Sequence, residues 1–252
     1  MRDIMRKLSP SKAISHALNS VWSYRAAAFR IALLWVPIML VAGFFEYYTA
    51  VPHPELKVLS PPPLVQLASG IVTIIAVCSI AVSWHRFILR DESSAGLRLD
   101  SHVFRYAGTT VLIMLGMLVP AILFLILYLS MPEVGSVIGL TLIVLAGGLV
   151  TRLSIKLPAV ALGNQGFSFK DAWAASEGNF WPCVGVFLLN AAIMLAIMLV
   201  LTILAGLSAQ ISETLSVAFQ LSAVVLMQLF YAIFNASIFT SLYGFFVERR
   251  DF

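Results

Sequence analysis

Six stretches of this sequence are apolar for long enough to cross a bilayer, and no other feature narrows the possible folds as much. They run near Ala26–Phe45, Leu64–Trp84, Ala107–Leu129, Val134–Val150 with an extension to Leu162, Cys183–Leu207 and Leu215–Phe239. A hydrocarbon layer about 30 Å thick takes about 20 helical residues, and a single chain segment in lipid satisfies its own amides only as a helix. The remaining composition agrees. With 60% apolar residues, 11% charged residues and a mean hydropathy of +0.96, the chain lies outside the range of a soluble domain of 252 residues. The expected fold is therefore all-α, a single polytopic membrane domain over residues 1–252 with six transmembrane helices and short amphipathic interfacial helices on the cytoplasmic side.

Charge sets the expected orientation. Fifteen of the sixteen Lys and Arg residues fall before the first run, in the connection Arg86–Arg105, in the connection carrying Arg152, Lys156 and Lys170, or in the tail with Arg249 and Arg250. Lys57 alone falls on the other side. The positive-inside rule then places both termini in the cytoplasm. A pI near 9.2 would also suit nucleic acid, but these cations flank apolar runs, which points to membrane lipid rather than nucleic acid as partner. No cleaved signal peptide is expected, because the first thirty residues carry cations without an apolar core or a small-residue cleavage site.

Within the segment 1–25, Ser9-Pro10 starts a helix on which Ala13, Ile14, Ala17, Leu18, Val21 and Trp22 recur at helical spacing. That helix either lies in the interface or packs under the bundle. The outer connection Glu46–Pro63 holds Pro52, Pro54, Pro61, Pro62 and Pro63 and reads as an extended loop. The segments Pro10–Tyr24, Leu97–Tyr106 and Phe169–Trp181, each ahead of an odd-numbered run, suggest a weak threefold hairpin repeat.

The connector Arg152–Trp181 is the richest in local signals. Arg152 and Lys156, four apart on a helix, project from one face, with stems along hydrocarbon and charges toward headgroup phosphates. Pro158 permits a kinked last turn and Gly163-Asn164 stops the helix. Ser168-x-x-Asp171 is a capping box opening a short helix over Phe169–Glu177, which ends at Gly178.

Two sets of residues are candidates for function. His85, Arg86, Arg152 and Lys156 could form a basic pocket for a lipid phosphate, weighed against ordinary snorkelling at the interface. On the sixth run Gln220, Gln228, Tyr231 and Asn235 fall within an arc of about 80° at roughly 100° per residue. They read either as the lining of a pathway or as interhelical hydrogen-bonding groups reaching Asn190 on the fifth run. Acidic residues all lie at or outside run ends, which disfavours proton-driven transport. Gly135-x-x-x-Gly139, with Ala146 and Gly147, gives the fourth run a small-residue face for close packing.

Catalytic motifs are absent. The sequence has no zinc helix motif, nucleophile elbow, phosphate loop or dinucleotide fingerprint, so no enzymatic activity, cofactor or metal is expected. Cys78 and Cys183 sit in or beside apolar runs without a metal-ligand or disulfide pattern, and His16, His53 and His102 are isolated.

Three motifs carry a resemblance: SWHRFILRDE at Ser83–Glu92, RLSIKLPAVALG at Arg152–Gly163 followed by FKDAWAASEGNFW, and FNASIFTSLYGFFVERR near the end. They resemble a loose group of six-helix bacterial inner-membrane proteins, the YciC-type family, and the membrane domain found in front of some glycerophosphodiester phosphodiesterases. The first motif departs from its commoner form, which has a glycine before the glutamate where this chain has Arg90-Asp91-Glu92. The resemblance implies fold and compartment, a bacterial inner (plasma) membrane, and no activity. From all of this the expected role is a non-catalytic envelope or scaffold component whose cytoplasmic face binds a partner protein, a second copy or anionic lipid. The alternative is a passive or exchange-type transporter of a small or lipidic solute, and the third reading a membrane enzyme acting on lipid headgroups near His85.

Overall fold

Proline and glycine decide where the apolar runs stop and bend. Among the described residues ten helices form: α1 (Pro10–Ser23), α2 (Arg25–Leu33), α3 (Trp35–Thr49), α4 (Pro63–Arg90), α5 (Ser101–Ser130), α6 (Pro132–Leu153), α7 (Lys156–Ala161), α8 (Phe169–Ala175), α9 (Phe180–Ile211) and α10 (Glu213–Phe246). Val51–Pro52 and Leu59–Ser60 add a two-residue antiparallel pair, β1 and β2, in the outer connection. The structure, a computed structural model, describes residues 6–52, 59–93 and 96–251. Arg2, His53, Pro54, Glu55 and Lys57, which contribute to the reading of charge and of the outer loop, lie outside the described residues.

The first apolar run is not one straight helix. It breaks at Leu34 into α2 and α3, which meet at 51°. Pro37 explains the position: it has no N–H for the carbonyl of Leu33, and its ring clashes with that carbonyl. The fourth run breaks by the same rule, since Pro158 cannot donate to Ser154, and α6 gives way to α7 there. Arg152 and Lys156 stand on either side of the turn Ser154-Ile155, within the one span Pro132–Ala161. Gly163 then takes a left-handed φ of 81° and the Asn164 amide reaches back to the Ala159 carbonyl at 2.9 Å, the helix stop read from the sequence. The capping box Ser168–Asp171 also forms, while α8 ends at Ala175, two residues short of the expected boundary.

Five single helices are long and apolar enough to cross a membrane. The two ends of the described chain meet, with the Arg6 guanidinium donating to the Arg250 carbonyl at 3.0 Å and pairing with the Asp251 carboxylate. Counted as one span, the bent pair α2–α3 brings the candidate crossings to six. The molecule is a multi-pass, all-helical membrane bundle.

Packing is uneven along the bundle. The fully buried large side chains, among them Trp84, Phe234, Ile80, Ile155, Ile238 and Leu242, gather at the end that carries both chain ends and the basic connectors. α1 belongs to this core. Its Ala13, Ile14 and Ala17 are buried against α9 and α10, so of its two expected placements the one under the bundle holds. The connection after α4 also folds inward: Ser79 Oγ donates to the Arg98 carbonyl at 2.7 Å, and Gly96 lies against Leu34 in the bend between α2 and α3. Toward the other end the helices expose most of their apolar surface, as expected for rods solvated by lipid.

Around these rods the contacts close a ring. α4 packs on α5, α5 on α6, α6 on α9, α9 on α10 and α10 back on α4, while α7 packs on α4, α5 and α10 and forms the floor at the basic end. The α5–α6 hairpin depends on glycine. A Cβ on Gly135 would sit 2.1 Å from the Leu127 carbonyl oxygen, and one on Gly139 would enter the Phe124 ring. Backbone cannot rotate away, so Gly135→Ala should destabilise the protein by about 1–3 kcal/mol. Gly116→Ala on the same hairpin has open space and should be neutral or stabilising. Thermal melts of the two variants in one detergent check the contrast.

Candidate functional site

Cations at the basic end face inward. Arg86 Nε and Nη2 form a two-point pair with the Glu92 carboxylate at 2.7 and 2.6 Å, and Nη1 donates to the Ala161 carbonyl at 3.0 Å. Arg90 donates to the Leu162 carbonyl at 2.6 Å. These carbonyls are the ones that a helix leaves unpaired at its C-terminus, so two arginines of α4 cap α7. Arg152 does the same for α8: Nε donates to Ser176 Oγ at 2.9 Å, Nη2 donates to the Trp173 carbonyl at 2.8 Å, and the guanidinium stacks 3.9 Å from the Trp173 ring centre. Only 5% of Arg152 is exposed. Lys156 donates to the Phe167 carbonyl at 3.1 Å and lies over the Phe169 ring. Instead of running along hydrocarbon to headgroups, these side chains hold the connector together.

The turn that presents Glu92 to Arg86 rests on Asp91, which ends α4 in the left-handed conformation with φ 56°. Glycine adopts such a φ at least cost, and a short Asp is among the side chains that tolerate it. Arg98 completes the cluster at 3.3 Å from Glu92. The Arg86 hydrogen bond, more than Arg98, holds the Glu92 carboxyl below its ordinary value, with desolvation opposing.

His85 lies on the other side of the same helix end and is fully buried. Thr240 Oγ1 donates to the Ala236 carbonyl at 2.7 Å, so its oxygen accepts from His85 Nδ1–H at 2.8 Å. Nε2 lies 3.2 Å from the Tyr106 hydroxyl, so both ring nitrogens have partners inside the chain. His85, Arg86, Arg152 and Lys156 thus do not converge on one pocket; each has its own protein partners.

The polar stripe on α10 has a different surrounding. Asn235 accepts from Asn190 Nδ2 at 3.1 Å, the link between the fifth and sixth spans foreseen from the sequence. Gln220, Gln228 and Tyr231 instead line cavities. Between α4, α5, α9 and α10 lies a half-open apolar cavity of about 380 Å³ whose walls include Val77 and Cys78 of α4, Thr110 and Met114 of α5, Met194 of α9 and Tyr231 of α10. A smaller space of about 130 Å³ adjoins it, sharing Val77, Cys78, Thr110, Met114 and Tyr231 and reaching Tyr106, Asn235 and Leu157. A third cavity, of about 440 Å³, opens between α3, α4 and α10 toward the outer end. Gln228 and Thr73 line both this outer cavity and the ring cavity and form the partition between them. Sequence reasoning missed the outer cavity, because its walls come from three separated runs and only the Pro37 bend brings α3 to face α10.

No family model matches the chain, and neither a curated protein nor a solved structure does. Among the described residues no group of histidine, cysteine and carboxylate side chains is placed to hold a metal ion.

The Arg86–Glu92 pair has a pH signature. A carboxyl held below its unfolded value, about 4.3 for glutamate, contributes stability that is complete above that pH and disappears as pH falls through the folded pKa. The protein should therefore melt at lower temperature below about pH 4. Glu92→Gln should be less stable at neutral pH and lose part of that acid dependence, which melting curves between neutral and acid pH will measure.

Proposed function

We propose that this chain is a non-catalytic membrane protein that binds and exchanges a lipidic solute within the ring formed by α4, α5, α6, α9 and α10. The carrying observation is a pair of adjoining cavities between the Gln228 partition and the α7 floor that share Val77, Cys78, Thr110, Met114 and Tyr231 and are lined by apolar side chains with a few polar groups at their edges. That balance suits an acyl or other apolar chain, and the volumes fall near the range of small-molecule sites. The resemblance to YciC-type proteins supports a bacterial inner membrane, and the cation distribution supports a cytoplasmic location for the basic end.

Of the two main roles expected from the sequence, this reading favours exchange over a headgroup-binding scaffold, because Arg86, Arg90, Arg152 and Lys156 are engaged on backbone carbonyls of the chain itself. A second reading keeps one observation in its favour. Lys7, Lys12, Arg105 and Lys170 are exposed at the basic end and would draw that face to anionic lipid or an acidic partner.

Met114 lines both cavities, so Met114→Trp should fill the space without disturbing the basic core. Native mass spectrometry of gently extracted protein should show loss of retained lipid at an unchanged melting temperature. Unchanged lipid retention would overturn the ring cavity as the binding site.

A further inference from the structure

The outer cavity carries a chemistry that the ring cavity lacks. Glu46 lies within α3, one turn before its end, and its carboxylate faces this space. Ser69 of α4, itself buried, brings its hydroxyl within hydrogen-bond reach of Glu46 Oε1 and of the Val65 carbonyl. Gln220 and Gln228 of α10 and Thr73 of α4 supply further oxygen atoms, while Met39, Leu221 and Val225 make the wall between. Among the described residues lining the cavity, Glu46 is the sole charged group. A carboxylate with no charged partner among the described residues of a membrane-facing cavity favours a cation, since a buried or half-buried charge is stable when paired.

The donor and acceptor inventory narrows the cation. Carboxylate, amide carbonyl and hydroxyl oxygens accept hydrogen bonds, so they reward a headgroup with N–H donors. A quaternary ammonium would instead call for an aromatic cage, and Tyr47 is the only aromatic residue at the wall. The partition at Thr73 and Gln228 sets the apolar ring cavity directly beside the charged one. We propose that the outer cavity binds the primary ammonium headgroup of an amphiphile, with Glu46 as its counter-ion, while the ring cavity takes the apolar chain. This assignment rests on the chain-binding reading above and adds the headgroup class.

The test uses the purified full chain and an equimolar mixture of phosphatidylethanolamine, phosphatidylcholine and phosphatidylglycerol with identical acyl chains, read by native mass spectrometry. Phosphatidylethanolamine should be retained about tenfold over the other two, the scale of one charge-assisted hydrogen-bonded pair. Glu46→Gln should bring that ratio close to one, and Glu46→Asp should keep part of the preference. Ethanolamine without a chain should compete weakly. Competition as strong as that of the whole lipid would overturn the amphiphile assignment. If the wild type retains all three lipids equally and Met114→Trp releases them, the ring reading stands and the headgroup assignment fails. A preference that survives Glu46→Gln also overturns it, and retention of no lipid overturns both.

Discussion

Short helices cannot end in a nonpolar surrounding without partners for their last carbonyls, and this protein meets that requirement with arginine. α7 and α8 have six and seven residues, too few to be stable alone. Each is held at its C-terminus by guanidinium groups from a long neighbouring helix, Arg86 and Arg90 for α7 and Arg152 for α8. A guanidinium carries several donors in one plane and keeps its charge, so one side chain can answer a carbonyl and a second oxygen at once. Lysine at position 156 makes a single such contact.

The consequences reach the cavities. With α7 fixed across the bottom of α4, α5 and α10, the ring of long helices is closed at the basic end by Leu157 and its neighbours. At the opposite end nothing comparable tightens the bundle among the described residues, and α5, α6 and α9 expose most of their apolar side chains. A bundle that is dense at one end and open at the other has room for a guest in its upper half. The Pro37 bend adds to this asymmetry by leaning α3 over α10 and making the outer cavity with Glu46.

Much of this was legible in the residues. Long apolar runs, the Gly163 stop, the Ser168–Asp171 box and the Gly135–Gly139 contact each follow from local chemistry, which a single sequence displays. The Asn190–Asn235 bond was also within reach, because an amide in lipid has few other places to go. What the sequence hid were relations between distant segments. Arg152 looked like a snorkelling cation since spacing along one helix cannot reveal that α8 returns to receive its charge. Pro37 sat inside a run that hydropathy alone reads as continuous. Glu46 looked like a residue at the end of a span, and only the fold sets it against Ser69 and the α10 amides.

The account stands on the claim that inward-turned arginines, rather than apolar packing alone, hold the α7 floor. Amide hydrogen exchange across Lys156–Gly163 in wild type and Arg86→Ala tests it most directly. Loss of the Ala161 cap and the Glu92 pair should speed exchange in that segment by about tenfold or more, the effect of one lost hydrogen bond to a charged group, while amides of the α5–α6 hairpin keep their protection. Equal protection of α7 in both proteins would contradict the claim.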